Sequence, residues 1–323
     1  MSTDLVSFSF DLMKKKSHIP EGLSVHGSLL GHYYHDFRYE LSMPRKMDCN
    51  GIPLWDYGDP IGQRYHPVLI TAYSLALHEK YLYDCDDESR TRFLQLADYL
   101  VEMQKQSRTG FGWEYDVPSY KYHTESRWVS AMAQGLGISA LLRAYQIDPR
   151  EVYLNSASKA LDAFDLPCKD GGVREVDEAG HVFFEEVPST SPAGSTHILN
   201  GFFFALWGIH DYVRVTGEAR AQRFLGEGID TLRETIASYD TGYWTLYCLG
   251  WRNYLTDRFY HQLHIDGAAV FHLITGEPLF QRFAERWAAY QNNPWCLVRW
   301  WAGYRFFRVV NKATRIATLL KLA

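Results

Sequence analysis

Two neighbouring carboxylates and a phenol beside two imidazoles are the residues whose types and spacing could do chemistry in this chain. Glu185 and Glu186 sit in the run Val182-Phe183-Phe184-Glu185-Glu186-Val187, which reads as a strand. Successive strand side chains point to opposite faces, so at most one of the pair can enter a cleft. A carboxylate buried there has its pKa raised, which suits it to taking and returning a proton. Tyr260, His261 and His264 open a helix expected over about Arg258 to Thr275. Positions 260 and 264 share a face, so a phenol and an imidazole would meet a ligand at the helix start. A phenol transfers protons if nearby positive charge lowers its pKa from about 10. Two histidines within one turn can begin a zinc site, but no third ligand motif accompanies them. No metal is therefore expected.

These groups must be positioned by helices. Ser130 to Tyr145 is almost entirely small and aliphatic, so that helix should be buried nearly all round. Its small residues Ser130, Ala131, Ala133, Gly135 and Gly137 would let neighbouring helices come close. Apolar spacing predicts helices over Val68–Tyr83, Glu88–Gln106, Ser126–Tyr145, Pro149–Phe164, His197–Thr216, Glu218–Ser238, Arg258–Thr275 and Pro278–Gln291. Between the pairs lie short aromatic, β-like inserts beginning near Gly110, Gly171 and Gly242, about 60 to 70 residues apart. The expected fold is mainly α: an incomplete α/α toroid of about four helical hairpins, with the inserts gathered at the mouth. Trp113 in the first insert is a candidate for stacking on a sugar.

The composition fits that reading. Of 323 residues, 46% are hydrophobic and 22% charged, as in an ordinary globular chain. A net charge of −5 offers no basic field for nucleic acid. Aromatics make up 15%, and Trp and Tyr suit a carbohydrate cleft because sugar faces stack on rings. The five cysteines are odd in number and widely spaced, and so read as free thiols of a reducing compartment. No signal peptide or membrane-spanning run is evident, so the expected location is cytoplasmic.

Four stretches resemble the C-terminal domain of the D-glucuronyl C5-epimerases of the heparosan and heparan sulfate type. They are Trp128 to Gly135 with Arg143-Ala144-Tyr145; Glu185 to Pro188 with Leu199-Asn200-Gly201-Phe202; Tyr239 to Gly242 with Thr245-Leu246-Tyr247; and Tyr260 to Ile265. Phe283 to Trp287 also fits, and Tyr65-His66-Pro67-Val68 is similar to the family's segment before its β-barrel domain. The resemblance implies a compact, bacterial-type member without that barrel. It implies inversion at C5 of an internal D-glucuronate residue of a polysaccharide, without a nucleotide cofactor. It selects Glu186 and Tyr260 as the opposed proton-transfer pair, with Tyr247 assisting. Arg252, His264 and His261 are then expected to hold the substrate, together with Tyr65, Asn200 and Trp113. Val187 stands where the family has a tyrosine. Cys248-Leu249-Gly250-Trp251-Arg252 replaces its Asp-Leu-Arg, leaving Arg252, or else Arg258, in place of its carboxylate-binding arginine. Two other readings stay open, a polysaccharide lyase on the same toroid and a non-catalytic glycan-binding relative.

The sequence is thus expected to divide into an N-terminal arm (1–66), a catalytic barrel (67–293) and a basic, aromatic C-terminal helix (294–323). That last segment holds Arg299, Arg305, Arg308, Lys312, Arg315 and Lys321 and no acid. It is a candidate for peripheral contact with the inner membrane face. The resemblance also implies a homodimer.

Overall fold

The structure, a computed structural model, describes residues 18–189, 194–250 and 253–305. Its helices pair as antiparallel hairpins: α1 (Pro67–Asp84) with α2 (Asp87–Lys105), and α3 (Ala131–Ile147) with α4 (Glu151–Ala160) and the short α5 (Asp162–Asp165). They continue with α6 (Leu199–Thr216) and α7 (Ala219–Thr235), then α8 (Arg258–Thr275) and α9 (Pro278–Gln291). The inner helices follow one another round the barrel, α1 on α3, α3 on α6 and α6 on α8, and α2, α4, α7 and α9 back them on the outside. This is an incomplete α/α toroid of four hairpins.

Local chemistry sets most helix ends. The Asp86, Ser130 and Asp257 side chains cap α2, α3 and α8 by accepting backbone N–H groups. Pro67 stands in the first turn of α1, where its missing N–H costs nothing. Gly217 and Gly276 end α6 and α8 in the left-handed region, at φ +66° and +71°. One expected boundary moves. Residues 126–130 are not helical, because Trp128–Val129 pairs antiparallel with Glu114–Tyr115.

Among the described residues, three two-stranded ribbons decorate the barrel. β1 (Leu54–Asp56) pairs with β2 (Gln63–Tyr65) before α1. β3 (Glu114–Tyr115) pairs with β4 (Trp128–Val129), forming the first insert. β5 (Arg174–Val176) pairs with β6 (Val182–Phe184), forming the second. The third insert, 240–257, is tied by isolated bridges, including Asp240 with Thr245 and Leu246 with Leu255. All three inserts meet at the N-terminal ends of the inner helices. Thr124 Oγ1 donates to Pro188 O at 2.6 Å, Ala131 N to Glu185 O at 3.0 Å, and Leu199 N to Tyr247 O at 3.2 Å.

The opposite end is plugged by the N-terminal arm. Tyr33 and Tyr34 are fully buried there, with their rings near Trp207 of α6. Beyond them a 3-10 turn, Arg38–Ser42, packs on α1, while His35 and Tyr39 meet Phe259 of α8. The arm thus stands in the gap between α8 and α1 and completes the barrel wall.

Candidate active site

A cleft of about 370 Å³ opens over the N-termini of the inner helices. Its floor comes from Leu69, Met132, Asn200, Phe204 and Leu263 of four different helices. Insert residues Tyr115, Trp128, Glu186 and Val187 form one wall, and His35, Tyr39 and Glu40 of the arm form another. Trp55, Tyr57 and His66 close the side next to β1 and β2. Tyr115 and Trp128 stack with ring centres 4.1 Å apart, and the Trp128 indole N–H donates to Val117 O at 2.9 Å. His66 Nδ1 accepts from Leu69 N at 3.1 Å, and burial holds the imidazole down at about 4, so it is neutral at pH 7.

The paired glutamates face opposite ways. The Glu185 carboxylate is buried away from the cleft, where it accepts from Thr196 Oγ1, from Thr196 N at 3.2 Å and from His197 N at 3.1 Å. It also meets His197 Nδ1 at 2.7 Å, and so fastens the backbone entering α6. Glu186 lines the cleft and accepts from Asn200 Nδ2 at 3.2 Å. Burial raises its carboxyl to about 7. The Lys121 ammonium opposes that rise, the Glu185 charge adds to it, and the Asn200 amide opposes it. Gly201 makes the space: a Cβ there would stand 2.3 Å from Glu186 Oε2.

Tyr260 borders the cleft from the first turn of α8, where its N–H donates to the Asp257 cap at 2.9 Å. Burial, with help from the Asp257 and Glu186 charges, pushes its phenol well above the usual tyrosine value. The Tyr247 ring meets that of Tyr260 edge-on at 4.9 Å and stacks on Tyr254 at 5.1 Å. Lys121 Nζ joins the group, donating to Tyr122 OH at 2.7 Å and to Tyr254 OH at 2.6 Å. Its charge lies 5.6 Å from the Tyr247 ring centre. Tyr115, Tyr122, Tyr247 and Tyr260 all feel the Glu186 charge.

A family model described as D-glucuronyl C5-epimerase C-terminus matches residues 105–289, the stretch that carries Lys121, Glu186, Asn200, Tyr247 and Tyr260. The chain belongs to this family. It is 33% identical over 219 residues to a D-glucuronyl C5-epimerase of Caenorhabditis elegans, across 61% of this chain and 34% of that protein. The match therefore spans about a third of that relative's length. It is 27% identical over 248 residues to an uncharacterized protein of Methanocaldococcus jannaschii, across 71% of this chain and 79% of that one. Among solved structures, an unsaturated glucuronyl hydrolase from Bacillus sp. GL1, responsible for the degradation of glycosaminoglycan, gives a TM-score of 0.47 at 16% identity. That match covers 69% of this chain and 61% of the hydrolase. A polysaccharide lyase gives 0.36 at 12% identity, covering 90% and 46%.

In this member of the C5-epimerase family, Glu186, Tyr260 and Asn200 come together at the cleft, with Tyr247 packed behind Tyr260. Four other expected contacts stand elsewhere. Trp113 is sealed in the core against Gly137, its indole N–H donating to Leu100 O at 2.9 Å. His261 is buried on Trp244, with Nδ1 2.8 Å from Thr245 Oγ1 and Nε2 3.1 Å from Trp287 O. His264 is buried against Phe203 and Trp287, with no hydrogen-bond partner for either nitrogen among the described residues. It shares a helix face with Tyr260, but one turn deeper that face has left the cleft for the barrel interior. Tyr65 is 39% exposed and donates to Asp48 Oδ2 at 2.8 Å. Its neighbour His66 enters the cleft instead, because side chains alternate along the strand. Arg252 lies outside the described residues.

Sequence reasoning missed Lys121, Tyr122 and Tyr254. Lys121 and Tyr254 are 133 residues apart and meet only because the first and third inserts converge. It also missed the arm residues of the cleft wall, which carry no motif of their own.

Proposed function

We propose that this protein is a hexuronyl C5-epimerase acting on internal D-glucuronate residues of a polysaccharide such as heparosan. The observation that carries the reading is the half-buried Glu186 carboxyl, raised to about 7 in a cleft that the Tyr260 phenol borders from a different element. The C5 proton of a uronate lies next to a carboxylate, and its loss makes an enediolate-like dianion. Such a step needs a base on one ring face, an acid on the other, and a cation at the carboxylate.

Glu186 suits the base, since a carboxyl near 7 is substantially ionised at neutral pH. It takes the C5 proton, and the C–H electrons move into the uronate carboxylate. Tyr260 suits the acid, because its raised pKa keeps the phenol protonated. Its O–H proton goes to C5 from the opposite face, and solvent then resets both groups. Tyr247 supports the transient phenolate by a hydrogen bond. Lys121 is the described cation whose charge lowers the Glu186 carboxyl, and that charge would draw the substrate carboxylate towards this end of the cleft. Trp55, Tyr115 and Trp128 present aromatic surface to neighbouring sugars.

Incubation of heparosan and other uronans in deuterated water, followed by NMR, tests the reading. Deuterium should enter at C5, and L-iduronate signals should appear. Glu186→Gln and Tyr260→Phe should each slow epimer formation by about 10²–10⁴-fold. No exchange with any uronan would overturn the proposal. A new 4,5-double bond absorbing in the ultraviolet would reassign the protein to a lyase, whose first step is the same.

A further inference from the structure

Residues 294–305 form a helix that no part of the cleft uses. One face packs on the third insert. The Trp300 indole N–H donates to Thr256 O at 2.8 Å, its ring meets Trp244 at 5.0 Å, and Gly303 abuts Leu255. The other face carries Trp295, Val298 and Trp301, which are 79%, 59% and 56% exposed. Three of the eight exposed large hydrophobics among the described residues thus fall within about two turns of one helix, which is a patch rather than scatter. Arginines border the patch, Arg299 reaching back over the third insert and Arg305 lying over Trp301. The Arg299 guanidinium lies 4.1 Å from the Tyr243 ring centre, and that of Arg305 lies 4.9 Å from the Trp301 ring centre. From 294 to 323 the sequence holds six Lys and Arg and no acid; residues 306–323 lie outside the described set.

We infer that this face docks on an anionic bilayer, with the helix lying in the plane of the headgroups. Exposed indoles and arginines with no acid among them match that surface. Indole rings sit at headgroup depth, and arginines pair with lipid phosphates. A second copy is the poorer partner. A two-fold contact sets the same patch against itself, so the arginines would face one another without acids to answer them. Docking here would hold the insert that carries Tyr247 and Tyr254 beside the membrane. The inference does not depend on the reaction proposed for the cleft.

The test is co-sedimentation of the full-length protein with vesicles of phosphatidylcholine alone or mixed with phosphatidylglycerol. Binding should require phosphatidylglycerol and weaken as salt rises. Trp295→Ala/Trp301→Ala should weaken partition by about tenfold or more, since two buried indoles are withdrawn from lipid. Arg299→Gln and Arg305→Gln should each weaken it about fivefold. Quenching of tryptophan emission by brominated lipid should fall in the double tryptophan variant, while its circular dichroism stays that of the parent. Absence of binding to the anionic vesicles, or equal binding by parent and variant, would overturn the inference. So would a dimer that the tryptophan variant converts to monomer while vesicle binding is unchanged, which would assign the face to a second copy.

Discussion

Adjacent Glu185 and Glu186 are the same residue type put to different uses by their surroundings. Glu185 is met by the N–H groups of Thr196 and His197 and by both their side chains, so it serves as a fastener. Glu186 has one amide partner and a hydrophobic cleft, so burial decides its proton affinity. This has a consequence for stability. The folded carboxyl titrates at about 7 and the unfolded one near its ordinary 4.5, so between these values the folded state binds more protons. Stability therefore falls as pH rises through that window, and the cost is complete above it. Glu186→Gln removes the cost. By urea unfolding at about pH 8, the variant should be more stable than the parent by roughly 1–3 kcal/mol, and the gap should close towards pH 4.5. A variant less stable than the parent at about pH 8 would show that burial does not set this group.

At the scale of elements, the site depends on how closely α3 and α6 approach. A Cβ at Gly208 would stand 2.2 Å from Gly135 O, and one at Gly135 would stand 2.3 Å from Phe204 O. Both glycines hold backbone against backbone, and α6 also carries Asn200 and Gly201 under Glu186. Gly208→Ala gains helix propensity of up to about 1 kcal/mol but forces two buried helices apart. We expect a net loss of about 1–3 kcal/mol in thermal or urea unfolding, with slower C5 exchange as Asn200 moves. A neutral or stabilising outcome would mean that the helices give way at no cost. The small residues of Ser130 to Tyr145 announce such packing in the sequence. That Gly208 is the partner of Gly135 appears only when the helices are set side by side.

Across the whole molecule, the arm is tied to the inner helices through a buried ionic network. Arg143 Nη1 lies 2.6 Å from Asp211 Oδ2, both side chains being fully buried. Arg143 also donates to Gly31 O at 3.1 Å and to His32 O at 3.2 Å, and Tyr34 OH donates to Asp211 Oδ1 at 2.7 Å. Glu79 accepts from Tyr33 N at 2.5 Å. The network ties the arm to α1, α3 and α6, and so holds the arm's cleft wall in place. Asp211→Asn keeps the shape but leaves the Arg143 charge uncompensated, which should cost about 3–5 kcal/mol by urea unfolding. A cost below about 1 kcal/mol would show that the arm is held by its aromatic packing alone.

The sequence by itself determined the four hairpins, the family and the candidate pair Glu186 and Tyr260, because apolar periodicity, capping residues and short ordered motifs are local signals. Strand alternation predicted that Glu185 and Glu186 face opposite ways, but β6 ends at Phe184, so their opposite aims are set by the bend that follows the strand. Tertiary structure decided depth. Whether a histidine one turn below Tyr260 meets substrate or core depends on how far α8 sinks between α6 and α9, and His264 falls on the buried side. Trp113 likewise is drawn into the core by the space that Gly137 leaves. Tertiary structure also assembled Lys121 with Tyr254, and the arm with the cleft, since contacts between residues over a hundred positions apart leave no periodicity in the sequence. The candidates Glu186, Asn200, Tyr247 and Tyr260 were legible in the sequence, while Lys121 and the sharing of one cavity came from packing.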